Sequence, residues 1–105
     1  MTEPILIVED DPLQQQMLKT LLRRKMDYGS IIAANGRLAL DILDADKSSM
    51  IKLIILDYEM PVMGGMETLE ILSQRYPSIP VIMLTGSKDI DNMVKVMKLG
   101  AADFV

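Results

Sequence analysis

The sequence predicts an α/β fold, a parallel sheet with helices on its faces, and three observations carry that expectation. Short runs rich in Ile, Leu and Val recur along the chain, the composition of strands buried on both sides. Between them lie segments whose apolar residues return at helical spacing. The two kinds of segment alternate as βαβαβαβαβ, and right-handed crossovers then lay each helix on the sheet.

Residues 5–9 read as the first strand. Asp11 then caps a helix that Pro12 opens, because an aspartate accepts from first-turn amides and proline fits the first helical position. Leu13, Met17, Leu18, Leu21 and Leu22 follow at helical spacing, so one face of this helix is expected in the core. A second strand spans 30–34, Asn35 caps the next helix, and Ala39, Ile42 and Leu43 face inward. The third strand covers 53–56 and delivers Asp57 at its end. After the loop 61–65, Met66, Leu69, Leu72 and Tyr76 mark a helix that must stop before Pro77. Residues 80–85 form the fourth strand. Ile90, Met93, Val94 and Met97 line a fourth helix that Gly100 ends, and 102–105 form the fifth strand. No helix follows it, which leaves part of one sheet face open, so the native gene product is expected to continue past Val105.

With 105 residues the chain is one domain, 1–105, long enough to bury a core without disulfides or structural metals. It has no cysteine and no histidine, which excludes thiol chemistry, Ser-His-Asp triads and imidazole metal sites. A formal charge of −4 disfavours nucleic acid or an anionic membrane as the direct partner. The basic run Arg23-Arg24-Lys25 is read as a solvated helix end that complements the helix dipole. No basic region precedes the first apolar run and every apolar run is strand-sized, so a soluble cytoplasmic domain is expected.

The chemistry lies at two strand ends. The first strand leads into Glu9, Asp10 and Asp11, and the third into Asp57. In an open parallel sheet, ligands bind at the carboxyl ends of the strands. If the two strands are neighbours, Glu9, Asp10 and Asp57 converge. A pair of carboxylates ~4 Å apart repel by roughly 4 kcal/mol at an effective dielectric of about 20, so a divalent cation is the reason to collect three. Magnesium takes one or two carboxylates and leaves positions for phosphate oxygens. An aspartyl phosphate is the natural covalent product at such a centre, since a carboxylate is a nucleophile and phosphoryl transfer needs mostly positioning and charge neutralisation. Taken singly, Asp11 is a cap, Thr85 an ordinary strand residue, Asp57 a solvated strand end and Phe104 a core residue. Their combination carries the reading.

Glu9-Asp10, Asp57 within Leu-Asp-Tyr-Glu-Met-Pro, Met63-Gly64-Gly65, Thr85 and the run from Gly100 to Val105 together resemble the receiver domain of two-component response regulators, over the whole chain. The resemblance implies a flavodoxin-like fold, a doubly wound five-stranded sheet of order 2-1-3-4-5. It implies that Asp57 accepts a phosphoryl group, that Asp10 and Asp57 ligate Mg2+ directly, Glu9 through water and Glu59 through its carbonyl. By the same resemblance Thr85 bonds a phosphoryl oxygen and Phe104 is the switch aromatic on the fifth strand. The implied partners are a sensor histidine kinase or histidine phosphotransfer protein, an output domain or downstream protein, and a second copy on phosphorylation, with no direct nucleic acid or membrane contact. The family's lysine would fall two positions beyond Val105, so the chain as written is expected to transmit its signal poorly. It is expected to be a phosphoacceptor that promotes its own phosphotransfer and dephosphorylation rather than an enzyme. A magnesium-dependent aspartyl-phosphate phosphohydrolase and a phosphorylation-independent interaction domain are the competing readings.

Overall fold

All four residues of the first strand, β1 (Ile5–Val8), are buried, as a strand covered on both faces must be. The computed structural model describes residues 4–26, 28–46, 50–57, 63–84 and 103–104. Along them run α1 (Pro12–Met26), β2 (Ser30–Ala33), α2 (Gly36–Ala45), β3 (Ile54–Asp57), α3 (Gly65–Arg75), β4 (Val81–Leu84) and β5 (Asp103–Phe104). The strands form one parallel sheet in the order β2-β1-β3-β4-β5, the flavodoxin-like arrangement. The expected fourth helix, with Ile90, Met93, Val94 and Met97, lies outside the described residues.

Strand parity sorts the core into two layers. Leu6, Val8, Ile54, Leu56, Val81 and Met83 point to one face, where Ala39, Leu40 and Leu43 of α2 and Leu69 and Leu72 of α3 cover them. Ile5, Ile7 and Ile55 point to the other face, against Leu18 and Leu22 of α1. The sheet is therefore wound on both sides.

The helix ends follow from their sequences. Asp11 Oδ1 accepts from the Leu13 amide at 3.1 Å and Asn35 Oδ1 from the Leu38 amide at 2.9 Å, each satisfying a first-turn donor that has no helical partner. Tyr76 is the C-cap of α3, directly before the proline that cannot continue a helix.

Two expectations change. The third strand runs one residue further, because Asp57 itself pairs with Leu84 of β4. In α1 the apolar residues divide into two rows rather than one core face. Leu18 and Leu22 reach the sheet, whereas Leu13, Met17 and Leu21 are 69%, 55% and 50% exposed. The row 13, 17, 21 is turned about 100° around the helix from the row 18, 22, because consecutive residues of a helix with about 3.6 residues per turn point about 100° apart, and among the described residues nothing lies over it.

Candidate functional site

Glu9 and Asp57 meet because register and parity agree. Val8 of β1 is paired with Leu56 of β3, so the next step along both strands sets Glu9 beside Asp57. Glu9 shares the parity of Ile5 and Ile7, and Asp57 that of Ile55, so both carboxylates start on the α1 side of the sheet. Asp10 follows directly in the turn into α1. One carboxylate oxygen from each of Glu9, Asp10 and Asp57 lies within 4.8 Å of the others.

The three acids differ in environment. Glu9 is buried, 3% exposed, Asp57 is half-buried and Asp10 is exposed. Burial pushes the Glu9 carboxyl up to about 7, the Asp11 backbone amide opposes that rise, and hydrogen bonding to Asp57 and Asp10 adds to it. Glu9 is held from several sides. Its amide donates to the Ala33 carbonyl of β2 at 2.9 Å. Its Oε2 accepts from the Asp11 amide at 3.1 Å, and its carbonyl accepts from Gln15 Nε2 at 2.7 Å.

Three oxygen donors at the carboxyl edge of a parallel sheet suit a hard divalent cation, which prefers carboxylate oxygen and keeps further positions for water or phosphate. The donor set contains no nitrogen or sulfur, so it does not suit the softer transition metals. The residues present fit magnesium. A separate cavity of about 290 Å3, lined by Leu43, Asp46, Ile51, Lys52, Tyr76, Ser78 and Ile79, sits at the opposite edge of the sheet, away from these carboxylates.

Of the residues singled out in the sequence, Glu9, Asp10 and Asp57 come together. Asp11 acts as the cap of α1. Glu59 and Thr85 lie outside the described residues, and Phe104 is described only as a β5 residue paired with Met83. Sequence reasoning passed over Gln15. Its neighbours Gln14 and Gln16 are exposed, but Gln15 shares a helical row with Leu18 and Leu22, three and seven positions on. That row was the available signal.

Gly64 caps α3 without a side-chain hydrogen bond. Thr68 ties the Gly64 carbonyl to the helix instead. It is fully buried, and both its amide and its hydroxyl donate to the Gly64 carbonyl, at 2.9 and 2.8 Å. The start of α3 is thereby tied to Gly64.

The sequence matches the response regulator receiver domain family over residues 5–105. It is 39% identical over 101 residues to the transcriptional regulatory protein CpxR of Escherichia coli, an alignment covering 96% of this chain and 41% of CpxR. It is 35% identical over 101 residues to the transcriptional regulatory protein ZraR of Klebsiella oxytoca, covering 96% of this chain and 22% of ZraR. The chain thus spans between about a fifth and two fifths of the length of these relatives. Among solved structures, the Mn(2+)-bound form of response regulator Rcp1 superposes with a TM-score of 0.86 at 26% identity, covering 98% of this chain and 79% of that one.

Proposed function

Because this chain belongs to the response regulator receiver domain family, we propose that it is a Mg2+-dependent phosphoacceptor in which Asp57 takes a phosphoryl group from the phosphohistidine of a partner kinase or phosphotransfer protein. The observation that carries this reading is the approach of Glu9, Asp10 and Asp57 to within 4.8 Å. Receiver domains act in two-component phosphorelay signalling, and regulators such as CpxR and ZraR favour that activity over the phosphohydrolase reading.

Asp10 and Asp57 would ligate the metal directly, Glu9 through water and Glu59 through its backbone carbonyl. Magnesium supplies neutralisation of the acid cluster and a hold on one phosphoryl oxygen. The Mn(2+)-bound form of Rcp1 supports a divalent ion in this fold. Asp57 is the nucleophile. One of its carboxylate oxygens attacks phosphorus, and the P–N bond to the donor imidazole breaks. Asp57 is suited to this because it projects from the last residue of β3, half-buried and held by the ladder to Leu84. Thr85 follows β4 in sequence and would donate to a phosphoryl oxygen. Phe104, beside Met83 in the β4–β5 pair, would be the aromatic that relays the change to a partner surface. Modification then shifts a pre-existing equilibrium between two conformations, read by an output domain, a downstream protein or a second copy. A cytoplasmic location follows from this reading.

The test is covalent modification. Acetyl phosphate with Mg2+ should label wild type at Asp57, as mapped by mass spectrometry, and Asp57→Asn should take no label. Label on another residue of wild type, or undiminished label on Asp57→Asn, would overturn the assignment.

A further inference from the structure

The peptide unit joining Glu9 to Asp10 lies between two proposed metal ligands, and its carbonyl is held by a side chain of α1. Gln15 Nε2 donates to the Glu9 carbonyl at 2.7 Å. Glu9 lies one residue beyond the end of β1, where ladder geometry no longer dictates the orientation of the peptide plane. An amide donor on its oxygen supplies that constraint instead. Rotating this plane would swing Asp10, whose amide belongs to the same unit.

Gln15 is itself placed by packing. Its amide donates to the Asp11 carbonyl at 2.9 Å in the first turn of α1. It shares a row with Leu18 and Leu22, which seat α1 on Ile5, Ile7 and Ile55. The depth at which α1 docks therefore sets the position of the side-chain amide relative to the Glu9 carbonyl. Further hydrogen bonds brace the turn: Glu9 N donates to the Ala33 carbonyl, Asp11 N to Glu9 Oε2 and Leu13 N to Asp11 Oδ1.

We infer that Gln15 is a positioning residue for the metal site: it fixes the Glu9–Asp10 peptide so that the Asp10 carboxylate is directed at the cation without first losing conformational freedom. The inference rests on the metal-site reading of Glu9, Asp10 and Asp57. Gln15 touches neither the cation nor the phosphoryl group and acts through the backbone carbonyl. Partners that orient metal ligands from outside typically change metal affinity about 10–100-fold when removed. A backbone partner should fall at the lower end.

Gln15→Met is the direct test, since methionine matches glutamine in length and in helix propensity but cannot donate to a carbonyl. The measurements are Mg2+ affinity by NMR titration and the 15N shift of the Asp10 amide in the apo chain. Gln15→Met should weaken Mg2+ binding about tenfold and move the Asp10 resonance, with the thermal midpoint close to wild type. Gln15→Asn keeps the amide on a stem one methylene shorter and should give the same weakening. Gln16→Met, one position away on the exposed side of α1, should change neither quantity. Unchanged Mg2+ affinity in Gln15→Met, or an equal loss in Gln16→Met, would overturn the inference. Asp10→Ala separates the two levels. If it binds Mg2+ as wild type does, the metal-site reading fails and this inference with it. If Asp10→Ala loses the ion while Gln15→Met does not, only the role of Gln15 falls.

Discussion

Glu9 shows at the scale of one residue how crowding carboxylates together costs stability. Buried and crowded by Asp57 and Asp10, its carboxyl is raised from 4.5 to about 7. Below pH 4.5 the group is protonated in the folded and unfolded chain alike and has no effect on the pH dependence. Between 4.5 and about 7 the folded chain keeps a proton that the unfolded chain releases, so stability falls as pH rises, and above about 7 the full loss is present. In EDTA, the thermal midpoint of wild type should fall relative to Glu9→Gln across this window. Added Mg2+ should recover the loss above pH 7, because a cation that binds only the folded carboxylates stabilises by mass action. Parallel pH profiles for the two chains would contradict this account.

At the scale of elements, Gly36 sets how closely α2 packs on the start of α3. A Cβ on Gly36 would come within 1.9 Å of Thr68 Oγ1 and 3.0 Å of Met63 Sδ. Both neighbours are committed, Thr68 by its bond to Gly64 and Met63 by packing on the larger core layer. Gly36→Ala must therefore push α2 away from α3, and overpacking of this kind costs about 1–3 kcal/mol. Pairing it with Thr68→Ala should return part of that loss in a double-mutant cycle, since the obstructing hydroxyl is removed. One position earlier, Asn35→Ala deletes the cap on the Leu38 amide and should cost about 1 kcal/mol. Chemical denaturation of wild type, the two single variants of the cycle, their double variant and Asn35→Ala measures all three values. The other ends of the two helices are tied by Arg75 and Tyr76, which both bond Asp44. That pair is half-exposed, so solvent screens the ion pair and it adds little to stability.

On the scale of the whole molecule, the two sheet faces carry unequal shares of the core among the described residues. There the α2–α3 side gathers thirteen buried residues, the α1 side three. Leu56, fully buried on the larger side, should lose about 2–5 kcal/mol on substitution by alanine. Ile55, on the smaller side and 7% exposed, should lose less under the same change, because its surroundings can relax into the gap. Urea midpoints at equal slope would rank them. The reverse order would mean that the α1 layer, not the α2–α3 layer, dominates the fold.

Local chemistry was legible in the sequence alone. Asp11-Pro12, Asn35 and Tyr76-Pro77 mark helix ends whose caps depend on residues within a turn of each other, and the Ile, Leu and Val runs identify the strands. The acids at two strand ends point to the proposed site, although their convergence depended on β1 and β3 being neighbours. Tertiary structure decided that point through the pairing of Val8 with Leu56. It also decided which leucines of α1 are core. Leu13, Met17, Leu18, Leu21 and Leu22 are alike in sequence, but the angle at which the helix docks admits only Leu18 and Leu22 to the sheet. The same docking selects Gln15 from three consecutive glutamines. Caps and strands are properties of neighbours along the chain, whereas docking angle and strand order arise from contacts between residues distant in sequence, which no local pattern encodes.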